Sequence, residues 1–416
     1  MLSLAARDAA TRYGTPCYLY DLPRLDSDAR RLRAVFPDPW LRLYSLKANG
    51  LPALIDRLPA AGFGATVVSA GELDLARRAG FPAATVALEG IGKGPTELRA
   101  AVAAARSGDP LLWVSLESAD EARVLSALAR RAGVRLDVLV RINPQVHPET
   151  HGGLAVGAAG SKFGILSDEL PELIDAGGGP EGPLRWRGIH LHIGSQLGAV
   201  DAWRSAVRVG LRLLTLQHAA LPDFDTLDLG SGFAVEYGVD GSAPGPEVFA
   251  AAAADEVSAL PADARPQRMA IEPGRAVVAA SGWLLGRVLH VRERQGPAGP
   301  TRLVVLDTGM TELIRPALYG AEHPMIALTS LGKPSRPGDD WGVVRVDGPV
   351  CESTDQLGMA RLPPLARDDL VAIGVVGAYG SSMASTYNGR PRPPELAWDG
   401  ERVISLRARG RVTSLP

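Results

Sequence analysis

Ile189-His190-Leu191-His192-Ile193-Gly194-Ser195 reads as a β-strand with a period of two. Ile189, Leu191 and Ile193 point one way, toward a layer of helices. His190 and His192 point the other way, into an interior that must accept polar groups. A closed parallel barrel has such a strand end where its reactive residues gather. Working outward, short apolar runs alternate with helical patterns from residue 38 to 280. Strands are expected at Leu41–Lys47, Leu112–Leu116, Leu136–Ile142, Gly188–Ile193, Thr226–Leu229 and Met269–Ile271. Helices are expected at Leu51–Leu58 and at Ala119–Ala132, the latter closed by Gly133. Ser69-Ala70-Gly71-Glu72 has capping-box spacing and opens a further helix that ends at Gly80. Repeated βα units of this kind predict an α/β fold, a parallel (β/α)8 barrel over residues 30–280.

Beyond residue 282 the pattern changes. Leu284–Arg292, Leu303–Leu306, Val343–Val346 and Leu370–Val376 are strand-like, helical patterns are few, and Gly, Pro and Asp recur at short intervals. This predicts an antiparallel β domain over residues 281–416, to which residues 1–29 add a strand. Gly296–Pro300 and Gly332–Asp340 read as surface loops.

Composition narrows the function. A hydrophobic content of 46% supports packed cores, and the net charge of −2 is spread without a basic block. Nucleic acid and membrane surfaces are therefore not expected partners. The first residues carry no signal pattern, and no apolar run reaches spanning length. Two cysteines, Cys17 and Cys351, exclude a disulfide framework and fit a reducing cytoplasm.

Only four of the 44 basic residues are lysines, and one of them, Lys47, closes the first barrel strand in Tyr44-Ser45-Leu46-Lys47-Ala48-Asn49. A primary amine forms a Schiff base with an aldehyde, which a guanidinium cannot do. Asp228-Leu229-Gly230-Ser231-Gly232-Phe233 ends another strand in a turn whose amides could hold a phosphate. Glu272-Pro273-Gly274-Arg275 ends a third, offering a carboxylate, a bare backbone and a guanidinium. The His-x-His pair alone would also suit a metal. That reading needs further ligands at later strand ends, and His147, His151, His218, His290 and His323 are poorly placed, so no metal is expected. Taken singly, a Gly-x-Gly turn or a Glu-Pro-Gly is most often only a turn. Together with the lysine they describe an aldehyde, a phosphate and an aromatic ring between, which is pyridoxal 5′-phosphate.

These motifs, with His192-Ile193-Gly194-Ser195-Gln196, Cys351-Glu352-Ser353-Thr354-Asp355, Tyr13-Gly14-Thr15-Pro16, Ser161-Lys162-Phe163-Gly164 and Tyr387-Asn388-Gly389-Arg390, extend over essentially the whole chain. The chain resembles the alanine-racemase-fold (fold type III) pyridoxal-phosphate decarboxylases, nearest to their diaminopimelate decarboxylase branch. The resemblance implies that Lys47 holds the cofactor covalently and that His192 stacks on its ring. Ser195, Gly230, Ser231, Gly232 and the amides of Gly274 and Arg275 would hold the phosphate, with Tyr387 nearby. Glu272 would pair with the pyridine nitrogen. A carboxylate there favours the protonated ring and a strong electron sink, which argues for carboxylate loss over racemisation. Cys351 would be the catalytic acid, reaching the site of a partner subunit, so a homodimer with shared sites is implied.

By the same resemblance, Arg275, Arg315 and Tyr319 would grip the far carboxylate of the substrate, Glu352 its distal amine, and Tyr387 would also border the substrate. The reaction implied is conversion of meso-diaminopimelate to L-lysine and carbon dioxide, a step of lysine biosynthesis. Three departures keep an alternative open: the small, apolar run Gly152–Gly160 in the loop over the reacting centre, Thr66 where relatives usually carry aspartate, and Thr354 in place of a common glycine. The alternative is a secondary-metabolism paralogue acting on another amino acid, free or tethered to a carrier protein. A racemase is disfavoured by Glu272, and a non-catalytic regulatory homologue by the retention of Lys47 and Cys351.

Overall fold

The computed structural model describes residues 2–158, 160–237, 243–296, 299–328 and 341–412. The described residues fall into two bodies, one within Ala29–Val235 and Ala243–Val277, the other within Met1–Asp28, Glu236–Ser242 and Val278–Pro416.

After β1 (Cys17–Asp21), which pairs in the second body, come the eight strands of the first: β2 (Leu41–Ser45), β3 (Gly64–Val67), β4 (Val86–Leu88), β5 (Trp113–Leu116), β6 (Leu136–Ile142), β7 (Leu184–Leu191), β8 (Thr226–Asp228) and β9 (Arg268–Ile271). Every neighbouring pair is parallel, and β9 returns to β2, so the barrel closes in chain order. Closure removes sheet edges and brings all eight C-terminal ends to one rim. Leu43, Ala87, Trp113, Leu139 and Ala270 form one buried cluster, with Leu41 and Leu112 packed against it.

Local chemistry trims several expected elements. β2 stops at Ser45, and Leu46–Ala48 forms a single 3₁₀ turn, so Lys47 follows the strand rather than ending it. The helix expected over Leu51–Leu58 is only Pro52–Ile55. Beyond it Leu58 and Ala61 make three-residue turns, because Pro59 disfavours helical backbone at Leu58 and lacks an amide hydrogen of its own. The helix after Ser69 runs over Ala70–Arg78, and Ser69 Oγ accepts from the Glu72 amide at 3.2 Å. Glu72 reaches back one residue further than a capping box requires, to the amide of Val68 at 2.9 Å.

The second body is built on β10 (Gly282–Gly296), β11 (Gly299–Leu306), β12 (Met325–Leu328), β13 (Gly342–Asp347), β14 (Gln356–Leu362), β15 (Leu370–Ile373), β16 (Glu395–Trp398) and β17 (Val403–Arg407), with β1 paired to β10 and β16. Most of its pairings are antiparallel, but β1–β16 and β11–β13 are parallel, so the sheet is mixed. β10 runs to Gly296 and β11 begins at Gly299, leaving 297–298 of one expected loop outside the described residues, as is all of Gly332–Asp340. Helix Leu2–Tyr13 adds Ala5, Ala6, Ala9 and Ala10 to the core of Cys17, Leu19, Leu285, Ala372 and Leu396. Four alanines on one helical stripe allow close approach to a sheet. Cys17 is fully buried there, and burial pushes its thiol up to about 12, which makes it an inert packing residue.

Candidate active site

Period-two alternation and register fix what faces the barrel axis. Arg141, His190 and Asp228 lie side by side on β6, β7 and β8. Glu89 and Glu272 each follow an inward residue, Ala87 and Ala270, by two positions, so both turn inward at their strand ends. Glu89, His190, Asp228 and Glu272 are all buried.

Around Glu272 the contacts are specific. Thr66 Oγ1 donates to Glu272 Oε1 at 2.7 Å, and His190 Nε2 lies 3.4 Å from Glu272 Oε2. The same nitrogen lies 3.5 Å from Glu89 Oε2, while His190 Nδ1 meets Ser115 Oγ at 2.8 Å. Trp113 Nε1 approaches Glu89 Oε1 at 3.4 Å. Burial pushes the His190 imidazole below its ordinary value. Burial holds His192 well below its own, reinforced by the charges of Lys47 and Arg141. Burial alone would raise Glu272, yet His190, the Glu89 carboxyl and His192 outweigh it and keep the group well below the ordinary carboxylate range. Glu89 and Asp228 go the opposite way, raised first by burial and then by the Glu272 charge.

The turn after β8 is shaped by glycines. A Cβ on Gly230, whose φ is +58°, would sit 2.5 Å from the Leu191 carbonyl and 2.6 Å from His192 Nδ1. A Cβ on Gly232 would sit 2.5 Å from the Gly194 carbonyl, so this backbone admits no side chain. Ser195 Oγ accepts from Arg275 Nη2 at 2.9 Å and from Nε at 3.3 Å, and Ser231 Oγ donates to the Glu272 carbonyl at 2.7 Å. Gly274 follows Glu272 closely, with Ala48 and Ser45 tight against the position of a Cβ. Thus Lys47, His192, Ser195, Gly230, Ser231, Gly232, Glu272, Gly274 and Arg275 all lie on the turns that follow the C-terminal ends of β2, β7, β8 and β9. Lys47 is exposed on its turn. The loop after β6 is pinned to the same rim: Thr150 Oγ1 donates to the Ser195 carbonyl at 2.6 Å, and the Val156 amide to that of Ile193 at 3.0 Å. Ala159 of that loop lies outside the described residues.

The remaining expected residues belong to the second body. Arg315 and Tyr319 share the short helix Arg315–Tyr319. Arg315 is 2% exposed, and its Nη1 donates to Tyr237 Oη at 2.7 Å and meets His323 Nε2 at 3.2 Å. Glu312 faces Arg390 at 3.7 Å and accepts from Thr311 and Thr308. Cys351 and Glu352 are exposed on a turn anchored by buried Asp355, whose carboxylate accepts from the amides of Met310 at 2.6 Å and Val350 at 2.7 Å. Tyr387 Oη donates to Glu352 Oε1 at 2.6 Å, and Asn388 Nδ2 meets Cys351 Sγ at 3.4 Å. The sequence reading therefore gathered two groups, a cofactor-type set in the barrel and a Cys351–Glu352–Tyr387 set in the β domain. It missed Glu89, Ser115 and Arg141. Their signal was a polar residue two places after an inward apolar one at a strand end.

An amine, a glycine turn backed by a hydroxyl and a guanidinium, and a buried ionised carboxylate at one barrel rim have the chemistry to hold an aldehyde that carries a phosphate and a basic ring. These are the requirements of a pyridoxal-phosphate barrel enzyme. Residues 22–279 match the family model described as the pyridoxal binding domain of pyridoxal-dependent decarboxylases. The chain is 36% identical over 410 residues to diaminopimelate decarboxylase from Deinococcus radiodurans, covering 97% of this chain and 96% of that one. It is 34% identical over 414 residues to the Zymomonas mobilis diaminopimelate decarboxylase, covering 98% and 93%. The crystal structure of the Helicobacter pylori diaminopimelate decarboxylase complexed with L-lysine matches with a TM-score of 0.87 at 30% identity, over 97% of this chain and 96% of that one. The M. jannaschii enzyme in co-complex with L-lysine matches with a TM-score of 0.88 at 29% identity, over 98% and 92%. The chain belongs to the pyridoxal-dependent decarboxylases, and its cofactor is pyridoxal 5′-phosphate. No helix among the described residues is long and apolar enough to cross a membrane.

Proposed function

We propose that this decarboxylase converts meso-diaminopimelate to L-lysine and carbon dioxide. The observation that carries the substrate is near-full-length likeness to diaminopimelate decarboxylases, joined to two neighbours of TM-score 0.87 and 0.88 that hold L-lysine, the product of that reaction. Pyridoxal phosphate, when bound, supplies an electron sink for the pair left behind by the departing carboxylate. Lys47 holds the aldehyde carbon. Ser195, the amides of Gly230, Ser231 and Gly232, and those of Gly274 and Arg275 bind the phosphate. His192 covers one ring face, and Glu272 holds a proton at the ring nitrogen. Arg315, with Arg275 and Tyr319, grips the far carboxylate. A guanidinium fixed by Tyr237 and His323 is prepared for such a contact, because its plane is set before substrate arrives. Glu352 receives the distal amine, Tyr387 borders cofactor and substrate, and Cys351 delivers a proton to the carbon that lost its carboxylate.

Cys351 and Glu352 are exposed in their own chain. The same reading makes them residues that serve the barrel of a second copy, in a homodimer with shared sites. Mixing Lys47→Ala with Cys351→Ala protein then raises activity well above that of either alone, and no rise removes the shared site.

The substrate test is carbon dioxide release from meso-diaminopimelate, lysine, ornithine and arginine, with Lys47→Ala as blank. Release from meso-diaminopimelate alone is expected, with L-lysine as the product. A yellow protein inert toward all four would overturn that substrate. It would favour a second reading, an amino acid tethered to a carrier protein, in keeping with the small and apolar run Gly152, Gly153, Gly157 and Ala158 in the loop pinned to the rim.

A further inference from the structure

Three carboxyl groups, Glu89, Asp228 and Glu272, lie buried together at the barrel end, which is more negative charge than a dry interior holds. The groups that face them are known from every strand around the axis. Thr66 comes from β3, Trp113 and Ser115 from β5, Arg141 from β6, His190 and His192 from the end of β7, and Lys47 from the turn after β2. The guanidinium of Arg141 is matched by Glu117, 2.9 Å away, so its charge is already shared. His190 has Ser115 on one nitrogen and both carboxylates on the other. Charge balance therefore demands that protons remain on the carboxyls. Glu272, with Thr66 at 2.7 Å and His190 beside it, is the best-supported anion of the three.

We propose that Glu89 is a positioning residue of the cofactor site: as a neutral carboxylic acid it donates a hydrogen bond to Glu272, and so keeps Glu272 the ionised member of the cluster. Glu89 Oε2 and Glu272 Oε2 lie 3.5 and 3.4 Å from the same His190 nitrogen, and an oxygen of each carboxyl lies within 4.8 Å of the other, so the two are neighbours that a small side-chain adjustment brings into hydrogen-bond contact. The directions of shift agree, since Glu89 is raised by burial and by Glu272 while Glu272 is held low in spite of its own burial. The consequence for the cofactor rests on the reading that Glu272 meets its ring nitrogen. A carboxylate relieved of any need to take up a proton can hold one on the ring instead.

Two readouts on purified protein test this. Infrared spectra of apo- and holoenzyme should contain a protonated-carboxyl stretch that disappears in Glu89→Gln and persists in Glu272→Gln. Persistence of every such band in Glu89→Gln overturns the proposal, whatever the activity. The second readout is the pH titration of the visible absorbance of bound cofactor. Glu89→Gln keeps a neutral donor and should titrate like the wild type. Glu89→Leu removes the donor and should shift the midpoint by about one pH unit, a tenfold change in the proton equilibrium. An equal shift in Glu89→Gln would mean that Glu89 acts as an anion and would overturn the proposal. If Glu89→Leu fails to fold, the infrared comparison still decides. A Glu272→Gln titration indistinguishable from wild type would remove the ring-nitrogen reading while leaving the infrared result intact. The three groups also have the donor set of a metal site, so stoichiometric metal in the purified holoenzyme counts against the shared hydrogen bond.

Discussion

The barrel rim and the Cys351 turn handle ionisable groups in opposite ways. At the rim, Glu89, His190, Asp228 and Glu272 are buried, and burial together with the close neighbours of each group decides which of them carry charge. On the Cys351 turn Cys351 and Glu352 are exposed, and what is buried is the scaffold, Asp355, which holds backbone amides. Tyr387 there is raised first by its bond to Glu352 and by that carboxylate's charge, with burial a smaller cause. A dry cluster gives a fixed charge pattern, suited to tuning a resident ring. A wet turn leaves its groups free to exchange protons and to meet something that arrives.

The sharpest way to break this contrast is to delete one group from each side. Lys47→Ala removes the amine proposed to hold the cofactor, and both the visible absorbance of the purified protein and turnover should fall together, kcat by roughly 10⁴-fold. Cys351→Ala should lower kcat by about 10²-fold and leave the absorbance intact, because no cofactor contact is lost. Absorbance spectra with steady-state kinetics on the two proteins decide the matter. Loss of cofactor in Cys351→Ala would mean that the turn shapes the rim rather than acting on the substrate.

The two regions also differed in how much the sequence disclosed. The histidine strand showed its period openly because Ile189, Leu191 and Ile193 alternate with polar residues over its last turns of pleat. Glu89 stayed hidden because β4 is only three residues long, an apolar Val86–Leu88 run without visible alternation. Its inward direction follows from register with β3 and β5, which no single strand reveals. Lys47 was singled out by its chemistry, while the strand expected to end on it stops two residues earlier, at Ser45. In the β domain the individual strands were readable, but the parallel pairings of β1 with β16 and β11 with β13 were not. Those depend on partners hundreds or tens of residues away. The Cys351 motif was legible as family pattern, yet its support by Asp355 through the amides of Met310 and Val350 was not.

A subtler difference appears in stability against pH. His190 and His192 are held below their ordinary value of 6.5, so the unfolded chain binds protons there that the folded chain refuses, and stability is lost as pH falls below that value. Glu89 and Asp228 are raised above ordinary values of 4.5 and 3.8, so their contribution is lost as pH rises toward the folded values. Glu272 is depressed, and its contribution is present above 4.5 and lost only as pH falls through its folded value. Calorimetry of the apoenzyme at rising pH above 4.5 should therefore show Glu89→Gln gaining on the wild type as pH approaches the raised folded value of Glu89. A melting-temperature difference independent of pH would mean that Glu89 titrates alike in the folded and unfolded chains.

The smallest effect belongs to the wet side. Tyr387 is 48% exposed, and its 2.6 Å bond to Glu352 joins two solvated side chains. An exposed pair of this kind exchanges one set of water contacts for another, so Tyr387→Phe should leave the melting temperature of the isolated chain unchanged. The measurement becomes informative when it is combined with sedimentation. If the protein is a homodimer whose second copy covers the Cys351 turn, the pair is buried in the assembly, and the same substitution lowers the melting temperature in proportion to the dimeric fraction. A concentration-dependent loss would place the turn under a second copy. A loss independent of concentration would place its cause inside one chain.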